Sequence, residues 1–263
     1  MTSQTPMSLL APQEKQMHVA QKGQLRYMRF GLNGGWQGAL SLRFPTRPVF
    51  PYQRAFEYLS ASLKRSPQRF LSLGVGTGTA LATIQRLYPQ TLLYGVDIVG
   101  EVIETAIQHF QAPDHSACQY YQCDAIQFVE QTQLRFDFIF VDVYLEDRIH
   151  PIIIQSSFLD ALEGILNNKG TVIFNLIAKT PPVYPYTLFL KYSQTLFRSR
   201  IWLPVGMPFI EGNLLCVLSK DANPFQFHSD YLRNIRSRAN FYYNWFDQLE
   251  CKLWMHRLQI LNS

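Results

Sequence analysis

Four cysteines, Cys118, Cys123, Cys216 and Cys251, are all that this 263-residue chain carries. None forms a C-x-x-C pair and no histidine follows at zinc spacing, so the pattern excludes a zinc finger or ribbon, no metal site is expected, and no disulfide framework is legible. Reduced structural thiols fit a cytoplasmic protein. No apolar run approaches the roughly 20 residues that a bilayer-spanning helix needs, which predicts no transmembrane segment and no membrane partner. The first ten residues, Met1 to Leu10, have no basic region ahead of an apolar stretch and do not read as a signal peptide. Charge is scarce as well: 16% of residues are charged, the net charge is +5 and the pI is near 9.0. That surplus permits an anionic partner without requiring one. The Gly-Lys-Ser/Thr of a phosphate loop is missing too.

What the chain does have is 47% hydrophobic residues, enough for one large α/β domain with an appendage. Its most informative stretch is Phe70-Leu-Ser-Leu-Gly74-Val-Gly76-Thr-Gly78-Thr79, followed by Leu92-Leu-Tyr-Gly-Val-Asp97. An apolar run ends in three alternate glycines, a helical pattern follows, and a second apolar run ends in an acid. That is a nucleotide-binding β-α-β unit. Glycines let the backbone turn tightly and approach a ligand, and the acid at the next strand end suits ribose hydroxyls. The spacing is G-x-G-x-G, not the G-x-G-x-x-G of dinucleotide sites, and it resembles motif I of the class I S-adenosylmethionine-binding fold.

Four parts are expected. Residues 1–20 read as a flexible arm. Residues 21–66 read as a small β-strand layer, with strands at 25–30 and 39–44 around a turn at Gly34–Gly38, then a linker helix from Tyr52 to Leu63. Residues 67–222 read as the nucleotide-binding domain, and residues 223–263 as an aromatic and basic helical extension. In the third part, strands at 70–73, 91–96, 118–122, 136–141 and 171–176 alternate with helices at 79–87, 101–110, 125–130 and 156–166, the last stopped by Asn167-Asn-Lys-Gly170. A helix at 185–198 and strands at 201–203 and 213–218 complete it. The expectation is a Rossmann-like, doubly wound, seven-stranded, mostly parallel sheet. Ligands in such sheets sit beyond the carboxyl ends of the strands, so Gly74–Gly78, Asp97, Asp124 and Asp142 should converge.

From Leu25 to Lys220 the order of elements resembles the spermidine synthase-like (polyamine synthase) branch of the class I methyltransferase superfamily. Gln37 in Trp36-Gln-Gly38 stands where that family has a glutamine reaching the nucleotide. Tyr52-Gln53 stands at its tyrosine-histidine pair. Asp97 and Glu101 match its acidic-x-x-x-Glu-Val pattern, Cys123-Asp124-Ala125 its Asp-Ala step, and Asp142 the acid ending strand four. The resemblance implies that Gly74, Gly76 and Gly78 wrap the sulfonium of S-adenosylmethionine or its decarboxylated form. It further implies that Asp97 binds the ribose, that Asp124 with Ala125 meets the adenine, and that Asp142 holds or deprotonates an attacking amine, with Tyr144 and Tyr52 as hydrogen-bonding walls.

The chain departs from the family at three points. Asp-x-x-Asp-Pro becomes Asp142-Val-Tyr-Leu145, Gly-Asp-Gly becomes Gly76-Thr77-Gly78, and Tyr-His-Glu becomes Tyr52-Gln53-Arg54. Arg54 beside a polyamine would cost on the order of 1 kcal/mol or more. The implied activity is transfer of an aminopropyl or other alkyl group to an amine. The alternatives are methyl transfer to a small molecule or nucleic acid, or a binding member with an impaired acceptor site. The tail interleaves Phe241, Tyr242, Tyr243, Trp245, Phe246 and Trp254 with Arg233, Arg236, Arg238, Lys252 and Arg257. Such a mixture suits single-stranded nucleic acid. Because Asp230, Asp247 and Glu250 dilute its charge, packing on the sheet domain or on a second subunit of a homodimer is the preferred reading.

Overall fold

From Arg69 onward, short apolar runs alternate with amphipathic ones, and the chain lays them down as a parallel sheet with helices on both faces. The computed structural model describes residues 16–32, 34–145, 148–179, 181–205, 212–227 and 239–260. The parallel strands are β4 (Arg69–Leu73), β5 (Leu92–Asp97), β6 (Cys118–Gln122), β7 (Phe136–Val141) and β10 (Leu166–Ala178). The helices between and after them are α2 (Thr79–Leu87), α3 (Gly100–Phe110), α4 (Ala125–Gln131), α5 (Ser156–Ile165) and α6 (Tyr186–Leu196). A two-stranded ribbon, β8 (Tyr144–Leu145) with β9 (Arg148–Ile149), and a 3-10 turn at Pro151–Ile154 follow β7. Antiparallel strands β11 (Ser199–Pro204) and β12 (Gly212–Ser219) extend the sheet beside β10.

The seven expected strands are joined by a two-residue eighth, β13 (Gln259–Ile260), at the edge, giving the order β13-β11-β12-β10-β7-β4-β5-β6. Strand residues alternate between two cores. Leu71, Leu73, Ile139 and Val141 face α4, α5 and α6, whereas Phe70, Phe138 and Phe140 face the other layer. In that layer lie α1 (Pro51–Ala61), α2, α3 and α7 (Phe241–Arg257). Phe56 of α1 anchors it, fully buried with its ring 4.3 Å from Phe140 and 5.7 Å from Phe138. Burying one such ring is worth roughly 1.5–3 kcal/mol.

Three sequence expectations need correction. The arm at residues 1–20 is too long, because β1 (Met17–Lys22) pairs along its length with β2 (Leu25–Phe30). Met17 and Met28 pack with Val102 and Phe110 of α3, which supplies the apolar cover that the polar β1 sequence hides. Residues 1–15 lie outside the described residues. The hairpin partner is also earlier than expected. β3 is Trp36–Ser41, so Trp36, Gln37 and Gly38 are strand, not turn. Trp36 stacks on Tyr27 across the pair, with ring centroids 4.3 Å apart, and a side chain at Gly38 would collide with Thr77. Finally, the strand expected at 171–176 starts earlier: α5 ends at Ile165, as Asn167-Asn-Lys-Gly170 predicts, but those residues themselves form the irregular start of β10. Asn167 Nδ2 donates to Asp137 at 2.7 Å, and Lys220 Nζ donates to the Leu166 carbonyl at 3.1 Å.

The C-terminal part is one helix plus an edge strand among the described residues, and Arg233, Arg236 and Arg238 fall outside them. The buried face of α7 carries Asp247, Cys251 and Trp254. Its acids are committed to the preceding linker and α1. Arg47 meets Asp247 in a two-pronged pair at 2.6 and 3.0 Å. Arg54 meets Glu250 in another, at 2.7 and 2.8 Å. No helix among the described residues is long and apolar enough to cross a membrane.

Candidate active site

Backbone hydrogen bonds hold the strand ends in line. Gly74 N donates to Val96 O at 2.9 Å, Asp142 N to Leu73 O at 2.8 Å, and Cys123 N to Asp97 O at 3.1 Å. The ends of β4, β5, β6 and β7 therefore form one continuous rim, as crossovers of one hand require. The glycine loop rises from its middle. Gly74, Gly76 and Gly78 all have positive φ, at 85°, 52° and 70°. At Gly74 the need is absolute, since a side chain there would run into the carbonyl oxygen of Asp142. That close approach brings the acid of β7 against the loop of β4.

A small crevice opens above this junction, lined by Gln37, Tyr52, Gln53, Gly74, Gly76 and Asp142, with Phe56 and Phe140 as apolar floor. Thus β3, α1, β4 and β7 each contribute to one small site. Asp142 accepts a 3.2 Å hydrogen bond from the Tyr52 hydroxyl on one oxygen and a 2.8 Å bond from Asn175 Nδ2 on the other. Burial raises its pKa to about 6, although both hydrogen bonds favour the carboxylate and oppose the shift. Burial, together with the charge of Asp142, pushes the Tyr52 hydroxyl well above its ordinary value, so Tyr52 stays a neutral donor. Gln53 Nε2 makes a long 3.5 Å contact to the Tyr52 oxygen, while its buried Oε1 has no hydrogen-bond partner.

The remaining expected residues stand around this centre and do not line it. Asp97 supports the loop from beneath, its carboxylate accepting from Val75 N at 3.0 Å and Val99 N at 3.1 Å. Burial raises its pKa, and the amides of Val99, Val75, Gly76 and Ile98 pull it back. Asp124 is the N-cap of α4, accepting from Ile126 N at 2.7 Å, and Ala125 is the first residue of that helix. Tyr144 does not touch Asp142 by a hydrogen bond; its hydroxyl donates to the backbone carbonyl of Asn175 at 3.0 Å. Glu101 is exposed in the first turn of α3. His150 caps the 3-10 turn, its Nδ1 accepting from Ile152 N at 3.3 Å, and has no part in the crevice.

Arg54 requires a larger correction. It is buried and turned toward α7, with Glu250 as partner and Asp247 3.7 Å away. Successive residues on α1 point in different directions, so Tyr52 and Gln53 line the crevice while Arg54 faces the C-terminal helix. The expected clash with a cationic acceptor does not exist. Two functional candidates escaped the sequence reading: Asn175, and Asn213, whose Nδ2 donates to Asn175 Oδ1 at 3.0 Å. A buried asparagine amid Val172, Ile173, Phe174 and Leu176 was the available signal. Glu146 and Asp147 lie outside the described residues.

Residues 64–194 match the family described as a methyltransferase domain. A polyamine aminopropyltransferase of Neisseria meningitidis serogroup A is 21% identical over 216 residues, covering 82% of this chain and 80% of that protein. The structure of a probable spermidine synthase from Corynebacterium glutamicum superposes with a TM-score of 0.69 at 18% identity, covering 83% of this chain and 81% of its own. Spermidine synthase from Thermotoga maritima gives a TM-score of 0.60 at 17% identity, covering 90% and 87%.

Proposed function

We propose that this chain, which resembles the spermidine synthase-like branch of the class I methyltransferase superfamily, transfers an aminopropyl group from an S-adenosylmethionine-type donor to an amine acceptor. The relative named polyamine aminopropyltransferase, aligned over four-fifths of both chains, supports the reaction class. The observation that carries the reading is Asp142. It is a buried carboxyl poised near pH 6 against the glycine loop, in a crevice that also holds an unsatisfied acceptor, Gln53 Oε1. An ammonium group, with three hydrogens to donate, answers both deficits.

The donor when bound supplies an electrophilic carbon next to a sulfonium. The chain's own residues do the rest. Gly74, Gly76 and Gly78 leave space for the donor, Asp97 accepts from its ribose hydroxyls, and Asp124, with one oxygen spent on Ile126 N, keeps the other for the adenine amino group. Asp142 holds the acceptor ammonium and takes its proton, freeing the nitrogen lone pair for in-line attack. Tyr52 and Asn175 fix the two oxygens of Asp142, so that the carboxylate is oriented before the acceptor arrives. Phe56 and Phe140 keep the floor dry, which strengthens the attraction between carboxylate and ammonium.

Methyl transfer is the second reading, favoured by Leu145, which stands where polyamine synthases carry a second acid, and by the methyltransferase-domain match. Calorimetry with S-adenosylmethionine, its decarboxylated form and methylthioadenosine separates the two. The proposal expects the decarboxylated donor and methylthioadenosine to bind at least tenfold tighter than S-adenosylmethionine, and Asp97→Ala to abolish binding of all three. Preference for the carboxylated donor supports methyl transfer instead. Unchanged affinities in Asp97→Ala overturn the site assignment.

A further inference from the structure

Residues 16–50 hold Lys22, Arg26, Arg29, Arg43 and Arg47 and not one aspartate or glutamate. Their summed charge equals the +5 of the whole chain, so the rest of the sequence balances itself. This segment is the β1–β2–β3 layer and the linker behind it. Residues opposite each other in an antiparallel pair share a face, which sorts the two sides of the layer. Met17, Met28 and Phe30 lie on one side and pack on α3. His18, Lys22, Tyr27 and Arg29 lie on the other, with Trp36 opposite Arg29. Two of the five cations are spent, Arg47 on Asp247 and Arg26 on the His109 carbonyl at 2.9 Å. Lys22, Arg29 and Arg43 meet no carboxylate among the described residues. Arg29 Nε is buried without a hydrogen-bond partner. The Arg29 guanidinium lies 5.7 Å from the centre of the Tyr27 ring, and that ring stacks on Trp36 with 4.3 Å between centroids and 9° between planes.

We propose that this outer face of the N-terminal layer binds single-stranded nucleic acid. Charge argues first. Unpaired cations on an acid-free surface hold a positive potential, which a phosphodiester backbone neutralises with release of its own counterions. Stacking argues next. Arg29, Tyr27 and Trp36 form a ladder of planar groups, and Trp36, 38% exposed, offers a base a ring to stack on. Bases in a duplex are already stacked on one another, which selects the single strand. An acidic peptide would answer the charge and leave the ladder unused. Position adds a consequence. Trp36 leads directly into Gln37, which lines the crevice, and Gly38, which touches Thr77. A strand held on this face therefore lies beside the crevice, and its binding needs neither donor nor transfer.

The test is fluorescence anisotropy of labelled oligo-dT and oligo-U of about 15 nucleotides, and of a duplex of the same length, with the full chain and no donor. Salt is varied from about 50 to 200 mM. Single strands are expected to bind at least fivefold tighter than the duplex. The logarithm of affinity should fall with the logarithm of salt at a slope near −2, as about three phosphate contacts require. Trp36→Ala should weaken binding at least fivefold with the slope unchanged, and Trp36→Phe should restore most of it. Arg29→Ala should weaken binding and flatten the slope by about 0.7. Circular dichroism checks that each variant is folded. No binding at about 50 mM salt overturns the proposal, as does equal or tighter binding of the duplex. Wild-type affinity in both Trp36→Ala and Arg29→Ala overturns it too. So does binding that is lost in Trp245→Ala/Phe246→Ala instead, which would assign the strand to α7.

Discussion

Asn175 donates its Nδ2 hydrogen to Asp142 at 2.8 Å, from the strand adjacent to the one that carries the acid. The amide is itself fixed by Asn213 through its oxygen. A hydrogen bond to a charged group is worth about 1.5–3 kcal/mol, which is about 1–2 pH units of acidity. Replacing Asn175 by Leu should therefore move the acidic limb of the kcat/KM profile upward by that amount from about pH 6. Activity at pH 7 should fall by about twofold to tenfold. A pH–rate series on the two proteins measures it, and an unmoved limb would detach Asn175 from Asp142.

Stability carries the same signature. Asp142 has a folded pKa of about 6 against an ordinary 3.8. Between these values the folded chain keeps a proton that the unfolded chain has lost, so this carboxyl makes stability fall as pH rises from about 4 to 6. Asp142→Asn removes that slope. Relative to wild type, the variant should gain stability across the window, by up to about 3 kcal/mol at pH 7. Denaturant titrations at pH 4 and pH 7 check it; a constant difference between the two proteins contradicts it.

Arg54 and Glu250 are almost fully withdrawn from water, 6% and 13% exposed at the side chain. Removing one partner strands the other, at a cost of about 3–5 kcal/mol. Glu250→Ala should be destabilised by about that much, less whatever Asp247 recovers from 3.7 Å away. Because Arg54 faces away from the crevice, Arg54→Met should leave the acceptor KM within twofold of wild type wherever the protein is folded. A large KM decrease would return Arg54 to the acceptor site.

Gly74 combines a φ of 85° with a side-chain position occupied by the Asp142 carbonyl. Gly74→Ala should separate the loop from β7, lowering donor affinity at least 100-fold and stability by about 1–3 kcal/mol. At Gly76, among the described residues, an added Cβ meets the Gln37 carbonyl at an ordinary 3.7 Å. Gly76→Ala should therefore cost less stability while still weakening donor binding, as calorimetry on both variants would reveal.

The sequence disclosed most of this architecture, for reasons that can be named. α2, β6 and β7 lie where period and glycine placement put them: β7 is buried almost throughout, α2 along one face, and β6, a half-exposed edge strand, keeps its bounds between α3 and the Asp124 cap. β1 was hidden because its residues are half polar and only Met17 is buried. The inner partners of α7 were hidden because an ion pair such as Arg54 with Glu250 joins residues 196 positions apart, and no local pattern reports that. Asp142 was legible as a strand-end acid, whereas the support from Asn175 and Asn213 arises only when β10 and β12 lie side by side.

The central claim, that Asp142 completes an aminopropyl-transfer site, is tested most directly by product analysis. The wild type and Asp142→Asn are each incubated with decarboxylated S-adenosylmethionine, and in parallel with S-adenosylmethionine, together with a set of primary amines, and the nucleoside products are followed by mass spectrometry. The account predicts methylthioadenosine together with an amine enlarged by one aminopropyl group from the wild type. It predicts retained donor binding with at least a 100-fold slower release from Asp142→Asn. Equal release by both proteins, or S-adenosylhomocysteine from the carboxylated donor as the only product, would contradict it.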